Sequence, residues 1–340
     1  MPVLFFSSYI SGTVASFLLT VVGAAVSTQA NTRAAVAADA SVSQAFTVSF
    51  LASSTVGLAT ASVGLGGLSV LLLFFQTDAI ENKRALLGFG MGAATLSIYS
   101  RIAGGIFSKS VDMGSQLVEK AEATVLDAVR VTNGIGEILH VLGTSSDLFS
   151  SFVGSIIAGS VLGMDKGYAG AALVFWISMA GIIASIAGIM VAYTNDAANS
   201  AQIFGMLRRA TVLAGVVEAG FMAVIIVTLD TDWQLFFCLV IGLVAGIVVS
   251  MSAEYFTFSI YPPTTRIALS GVFGPANVII EGLSVGSYAT MLPVRIVCVI
   301  HMPYKHPLFM SYTCIHTLYP LLTHRTLFTY IGVGHHFRDY

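Results

Sequence analysis

Lys109, Asp112, Lys120 and Glu122 stand close together just after an apolar run that carries one arginine, Arg101. On a helix the four would span about four turns. Lysines attract anionic oxygens as compact point charges, and carboxylates hold hard divalent cations. A cluster of this kind at a membrane surface suits a metal-bound anion. Lys109 and Asp112 lie at i, i+3 and share a helix face. The same spacing also describes an ordinary solvated, charged helix exit, and spacing alone does not separate the two.

Further ionisable groups lie inside apolar runs: Arg101, Asp147, Glu218 and Glu281. Such residues are costly in lipid and are usually paired or functional. An Arg101–Asp147 pair would offset the desolvation of both members. It could be purely structural or could belong to an ion path. Glu281 follows Gly274-Pro275, which places it near a helix start.

The elements that must position these groups are membrane helices. The chain has 340 residues, 56% apolar and 9% charged, with a mean hydropathy of +0.87. Soluble domains carry about 25% charged residues. This chain has too little polar surface for a soluble fold, so the expected class is all-α, a polytopic transmembrane helix bundle in a lipid bilayer. Runs long enough to span occur near 4–27, 46–75, 86–107, 138–163, 168–192, 210–229, 233–258 and 276–300. The second is overlong and predicts tilt or protrusion. The first lacks a basic leader and exceeds the apolar core of a signal peptide, so it reads as a first span. Many runs are rich in Gly, Ala and Ser, which lets helix backbones approach closely in lipid. A net charge of -2 gives no reason to expect nucleic acid as a partner. Cys238, Cys298 and Cys314 are scattered, with neither disulfide nor zinc spacing.

Basic residues set the expected orientation. Arg33, Lys109, Lys120, Arg130, Arg208, Arg209 and Arg266 fall in segments 28–45, 108–137, 193–209 and 259–275, against Lys83, Arg84 and Lys166 on the other side. That bias puts the 108–137 loop in the cytosol. The organisation read from composition is a helical bundle over 1–294 and a divergent tail over 295–340. Six of the seven histidines lie in that tail: His301, His306, His316, His324, His335 and His336. Their irregular spacing defines no ligand set. The tail reads as a separate segment or a gene-model artefact, outside the bundle.

The segment from Thr28 to Pro293 resembles the N-terminal half of the membrane-integral, ion-translocating inorganic pyrophosphatases. Thr28-Gln-Ala-Asn-Thr-Arg-Ala resembles that family's TYANART loop. The stretch from Arg101 through Ser108-Lys109-Ser110-Val111-Asp112-Met113-Gly114 resembles its RVGGGIYTKAADVG, and Ser146-Asp147-Leu148-Phe149 its GSDLF. Tyr193 through Arg209, Glu254-Tyr255-Phe256, and Gly274-Pro275-Ala276-Asn277 through Gly286 follow in the family's order. The resemblance implies hydrolysis of pyrophosphate, with Mg²⁺ as cofactor, coupled to proton or sodium translocation. It implies a homodimer in a vacuole-like acidic compartment or a plasma membrane. It places Lys109 and Lys120 on pyrophosphate, Asp112 and Glu122 among the metal ligands with Asp112 the catalytic candidate, and Arg101 and Asp147 at the coupling funnel and gate.

The departures fall on the chemistry. The second aspartate of the family's DVGAD is Gln116 here. The aspartates of its DNVGDNVGD loop correspond to Thr132, Gly136 and His140, with Glu137 adjacent. Gly154 stands where the family carries a further coupling carboxylate, and the pattern departs from about Arg295, before the family's C-terminal half. Losing these carboxylates removes negative charge that would gather Mg²⁺ around a tetra-anion, and without those metals water is not activated at neutral pH. The expectation is a truncated or decayed copy that hydrolyses pyrophosphate poorly or not at all. The alternative is a non-catalytic membrane protein that associates with a full-length homologue.

Overall fold

The computed structural model describes residues 2–74, 79–121, 126–192, 200–231 and 233–301. Among these residues there is no strand. The chain runs through α1 (Pro2–Ala40), α2 (Val42–Phe74), α3 (Ala79–Ala121), α4 (Leu126–Gly163), α5 (Tyr168–Val191), α6 (Ser200–Thr228), α7 (Trp233–Thr257), the short α8 (Pro262–Ser270) and α9 (Pro275–His301). Six helices among the described residues are long and apolar enough to cross a membrane. The protein is a multi-pass, membrane-integral helix bundle.

Two segments expected as loops are helical. The 28–45 segment is the end of α1, a break at Ser41, and the start of α2. Residues 33–40 are mostly alanine, the best helix former, with no Gly or Pro to stop the helix. Ser41 then caps α2, its Oγ accepting the Gln44 N–H at 3.2 Å. Likewise α3 continues to Ala121 and α4 already begins at Leu126, so most of 108–137 is two helix extensions. At 43 residues, α3 is about 65 Å long and far exceeds the bilayer. The tail boundary expected at 294/295 falls inside α9, and residues 302–340 lie outside the described set.

The core sits around α4. Phe149, Phe152, Val153 and Ile156 pack with Leu68 and Leu71 of α2, Leu86 and Phe89 of α3, and Leu173, Val174 and Ile177 of α5. The α1–α3 crossing is tighter still. A Cβ at Gly12 would stand 2.1 Å from the Phe89 carbonyl oxygen, and one at Gly92 would stand 2.0 Å from that of Tyr9. Only glycine permits this backbone-to-backbone approach. Hydroxyls tie α1 to two neighbours: Ser16 and Ser146 of α4 share a hydrogen bond at 2.8 Å, and Thr13 Oγ1 donates to Gly92 O of α3 at 3.2 Å. Most other serines and threonines return their hydroxyl to a carbonyl of the preceding turn, as Ser53 does to Ser49. That satisfies a polar group where no water is at hand.

Among the described residues, three side-chain ion pairs join regions that alternating spans place on one side of the bundle. Lys83 at the start of α3 meets Asp165 after α4. At the opposite end Arg208 of α6 meets Glu254 of α7, and Arg266 of α8 meets Glu281 of α9.

Candidate functional site

The site is built on α3 and α4, whose close approach has a local cause. A Cβ at Gly143 would lie 2.8 Å from Ser100 O and 3.1 Å from Arg101 Cα. With no side chain there, α4 slides against α3 beside the arginine. Arg101 Nη1 then donates to Thr144 Oγ1 at 2.9 Å and stands 3.8 Å from Asp147 Oδ2. The pair anticipated as buried is half-open, with the two side chains 33% and 36% exposed. From 147 to 158 the outward strip of α4 is small and polar: Asp147, Ser150, Ser151, Gly154 and Ala158 are the less buried positions there.

Along α3, Lys109 is eight residues past Arg101, about 12 Å at the helical rise. Its Nζ donates to Asp112 Oδ2 at 2.9 Å. Lys109 is 79% exposed and Asp112 only 27%, so the ammonium reaches outward while the carboxylate lies against the helix. Ser115 Oγ donates to the Asp112 carbonyl at 2.9 Å. Lys120 is exposed in the last turn. The structure thus brings Arg101 and Asp147 together, and Lys109 and Asp112 together, with Lys120 further along the same rod. Glu122 lies outside the described residues, as do the side chains of Thr132 and Glu137.

A magnesium centre needs six oxygen ligands in near-octahedral array, usually one or two carboxylates plus phosphates and water. Among the described residues no three His, Cys, Asp or Glu side chains gather as a metal-binding group. At this helix exit the described carboxylate is Asp112, and a lysine already occupies it. These residues do not fit a multi-metal site. They offer cationic attraction for an anion at the exit of α3 and a guanidinium–carboxylate contact at membrane depth.

Sequence reasoning missed one cluster. Glu254 is nearly fully buried, with its Oε1 3.8 Å from Arg208 Nη2, and Tyr261 donates to it at 3.4 Å. Phe46, Phe50, Ile203, Leu207 and Phe258 pack together at this end of the bundle. The available signal was a lone glutamate closing an apolar run, opposite Arg208-Arg209 in a segment on the same expected side. Glu281 lies in the second turn of α9, near the helix start as Gly274-Pro275 predicts. It forms an ion pair with Arg266, Nε to Oε1 2.7 Å.

With this geometry in hand, the chain compares as follows with known proteins. A family model described as inorganic H+ pyrophosphatase matches residues 2–319. The chain is similar to the putative K(+)-stimulated pyrophosphate-energized sodium pump of Bacteroides thetaiotaomicron, 32% identical over 323 residues, covering 86% of this chain and 44% of the relative. A protein of the same description from Clostridium tetani is 30% identical over 299 residues, covering 86% and 43%. The K(+)-insensitive pyrophosphate-energized proton pump of Chloroflexus aurantiacus is 27% identical over 315 residues, covering 85% and 40%. The chain spans less than half the length of these curated relatives.

Proposed function

The chain belongs to the inorganic H+ pyrophosphatase family, and from that premise we propose that it supplies the pyrophosphate-facing and ion-gating part of a pyrophosphate-energised pump. The observation that carries this reading is the continuity of α3. One helix holds Arg101 against Asp147 inside the bundle and Lys109 against Asp112 about 12 Å further out. An anion drawn to the lysines at the exit would bear on the same rigid rod that carries the membrane-depth pair. Lys109 and Lys120 attract pyrophosphate in this reading, and Asp112, with Glu122, is the acidic partner of the exit. Relatives are named for both proton and sodium pumping, and the ion moved here is one of these two. The basic bias of the sequence supports a cytosolic position for the outer ends of α3 and α4.

The same proposal holds that this chain by itself does not hydrolyse pyrophosphate at an ordinary rate. Its support is the single described carboxylate at the exit, neutralised by Lys109. A second reading, association with another chain of the family, is favoured by the small, polar outward strip of α4. Lipid is a poor neighbour for Asp147, and small residues are what helix–helix contacts use.

The test is expression in membranes lacking endogenous pyrophosphatase, with phosphate release and pyrophosphate binding measured side by side. Expected are background release and a salt-sensitive binding signal that falls several-fold in Lys109→Ala. Ordinary turnover that Asp112→Ala abolishes would overturn the inactive reading. Binding unaffected by Lys109→Ala and Lys120→Ala together would overturn the anion site.

A further inference from the structure

Arg101 meets two acceptors of unequal chemistry. Its Nη1 donates to Thr144 Oγ1 at 2.9 Å, while Asp147 Oδ2 stands 3.8 Å from the same nitrogen. A guanidinium bonds a carboxylate more strongly than a neutral hydroxyl, at about 2.7–2.9 Å. The stronger acceptor is the one left out of reach, by about 1 Å. The cause is the order of groups along α4. Gly143 brings the two backbones together at Arg101 itself, where a Cβ would stand 3.1 Å from Arg101 Cα. Beside it Ser100 Oγ donates to Leu142 O at 3.4 Å. Thr144 follows directly, and Asp147 lies at i, i+3 from Thr144 on the same face. The arginine side chain leaves the crossing and reaches the threonine before the aspartate.

The threonine is a fixed acceptor. It is 2% exposed, and its Oγ1 donates to His140 O at 3.0 Å. A hydroxyl has one proton and two lone pairs. With the proton given to the preceding turn, Thr144 can only accept toward Arg101. A β-branched side chain bonded back to its own helix has little rotamer freedom, so this acceptor does not swing away.

We infer that Thr144 is a positioning residue for the Arg101–Asp147 pair: its hydroxyl anchors the guanidinium and holds it about 1 Å short of a direct hydrogen bond to Asp147. The inference rests on the proposed reading of that pair as the ion gate, and adds how the gate is kept from closing on itself. Breaking a closely hydrogen-bonded Arg–carboxylate pair in the membrane is costly, and a closed pair would have to be broken each time an ion passed. A guanidinium anchored on a neutral hydroxyl keeps its charge near Asp147 without that lock. What is inferred is where Arg101 is anchored, whatever else Asp147 meets.

The test uses the full chain in phospholipid vesicles, labelled with ¹⁵N in the arginine guanidinium and ¹³C in the aspartate carboxyl. Solid-state magnetic resonance reads the distance between the labels from their dipolar coupling, and Asp147→Ala identifies the signal by removing it. In the native protein the carboxyl should lie beyond hydrogen-bond reach of the guanidinium. Thr144→Val keeps the side-chain shape without the hydroxyl, and Thr144→Ala removes it without added bulk. In both, the distance should shorten by about 1 Å. Thr144→Ser restores the acceptor and should restore the native distance. A native distance already at hydrogen-bond length overturns the inference with no variant needed. An unchanged distance in Thr144→Val and Thr144→Ala overturns it, and so does a Thr144→Ser distance as short as theirs. The readout needs no pyrophosphate, so its failure is separate from failure of the pump reading, which phosphate release and pyrophosphate binding decide.

Discussion

Replacing Gly92 by alanine tests whether the α1–α3 crossing sets the position of the rod that carries the site. The new methyl would stand 2.0 Å from Tyr9 O, where real contacts essentially never fall below 3.0 Å, so the helices must part by 3.0 − 2.0, about 1 Å. A gap of that size forfeits about half of each dispersion contact across the crossing. With on the order of 20 atom pairs at about 0.1–0.2 kcal/mol, the loss is about 1–2 kcal/mol. The Thr13–Gly92 hydrogen bond stretches as well, removing about 0.5–1.5 kcal/mol more. Against this, alanine gains about 1 kcal/mol over glycine in helix propensity. Gly105, on the same helix with nothing within 4 Å of its missing Cβ, receives that gain without the clash. The propensity gain cancels between them, so the difference between Gly92→Ala and Gly105→Ala is about 1.5–3.5 kcal/mol. The assay is unfolding in mixed micelles by titration with a denaturing detergent, followed by circular dichroism. Equal midpoints for the two variants would refute the claim that backbone contact at Gly92 holds α3 in place.

Two further outcomes follow from the ion pairs. Because Arg101 and Asp147 are 3.8 Å apart and each about one-third exposed, their coupling in a double-mutant cycle should be modest, about 1 kcal/mol after screening. A coupling near zero on the same unfolding assay would mean that the contact is not formed in the bilayer. Arg208→Ala strands Glu254, whose side chain is 4% exposed, and should cost about 2–4 kcal/mol. Arg208→Ala with Glu254→Gln should recover most of it, and failure to recover would show that the cluster is held by packing alone.

The helical class was legible because composition decides it: a chain 9% charged cannot cover a soluble fold. The α5 and α7 spans were read within a residue or two, since Gly167 and the Thr231 turn interrupt apolar runs of near-bilayer length. The ends of α1 and α3 were misread because polarity was taken as loop. Residues 28–40 and 108–121 are polar yet lack proline, and helix continues through them into water. The Lys109–Asp112 contact follows from i, i+3 geometry and needs no tertiary knowledge. Arg101 and Asp147 were singled out from their surroundings, but their partial opening depends on how α3 and α4 cross, which Gly143 decides. That Gly181 of α5 faces Glu218 of α6 was invisible, because one glycine in a glycine-rich helix carries no mark of what it faces.

The outward surfaces of the bundle divide into two kinds, and the division locates where function must act. On α1 many exposed positions are large and apolar: Val3, Phe6, Ile10, Val14, Phe17, Leu18 and Val21. On α5 they are Trp176, Met179, Ile183, Ile186 and Met190. These faces suit lipid, where a bulky hydrocarbon surface costs nothing. Between residues 147 and 158 of α4 the less buried positions are Asp147, Ser150, Ser151, Gly154 and Ala158, although its 140–163 span is 61% buried, the highest share of the six. A helix so enclosed yet small and polar on its open side is not shaped for acyl chains. Its neighbour there must be water or protein, and the half-open Arg101–Asp147 pair lies on that side.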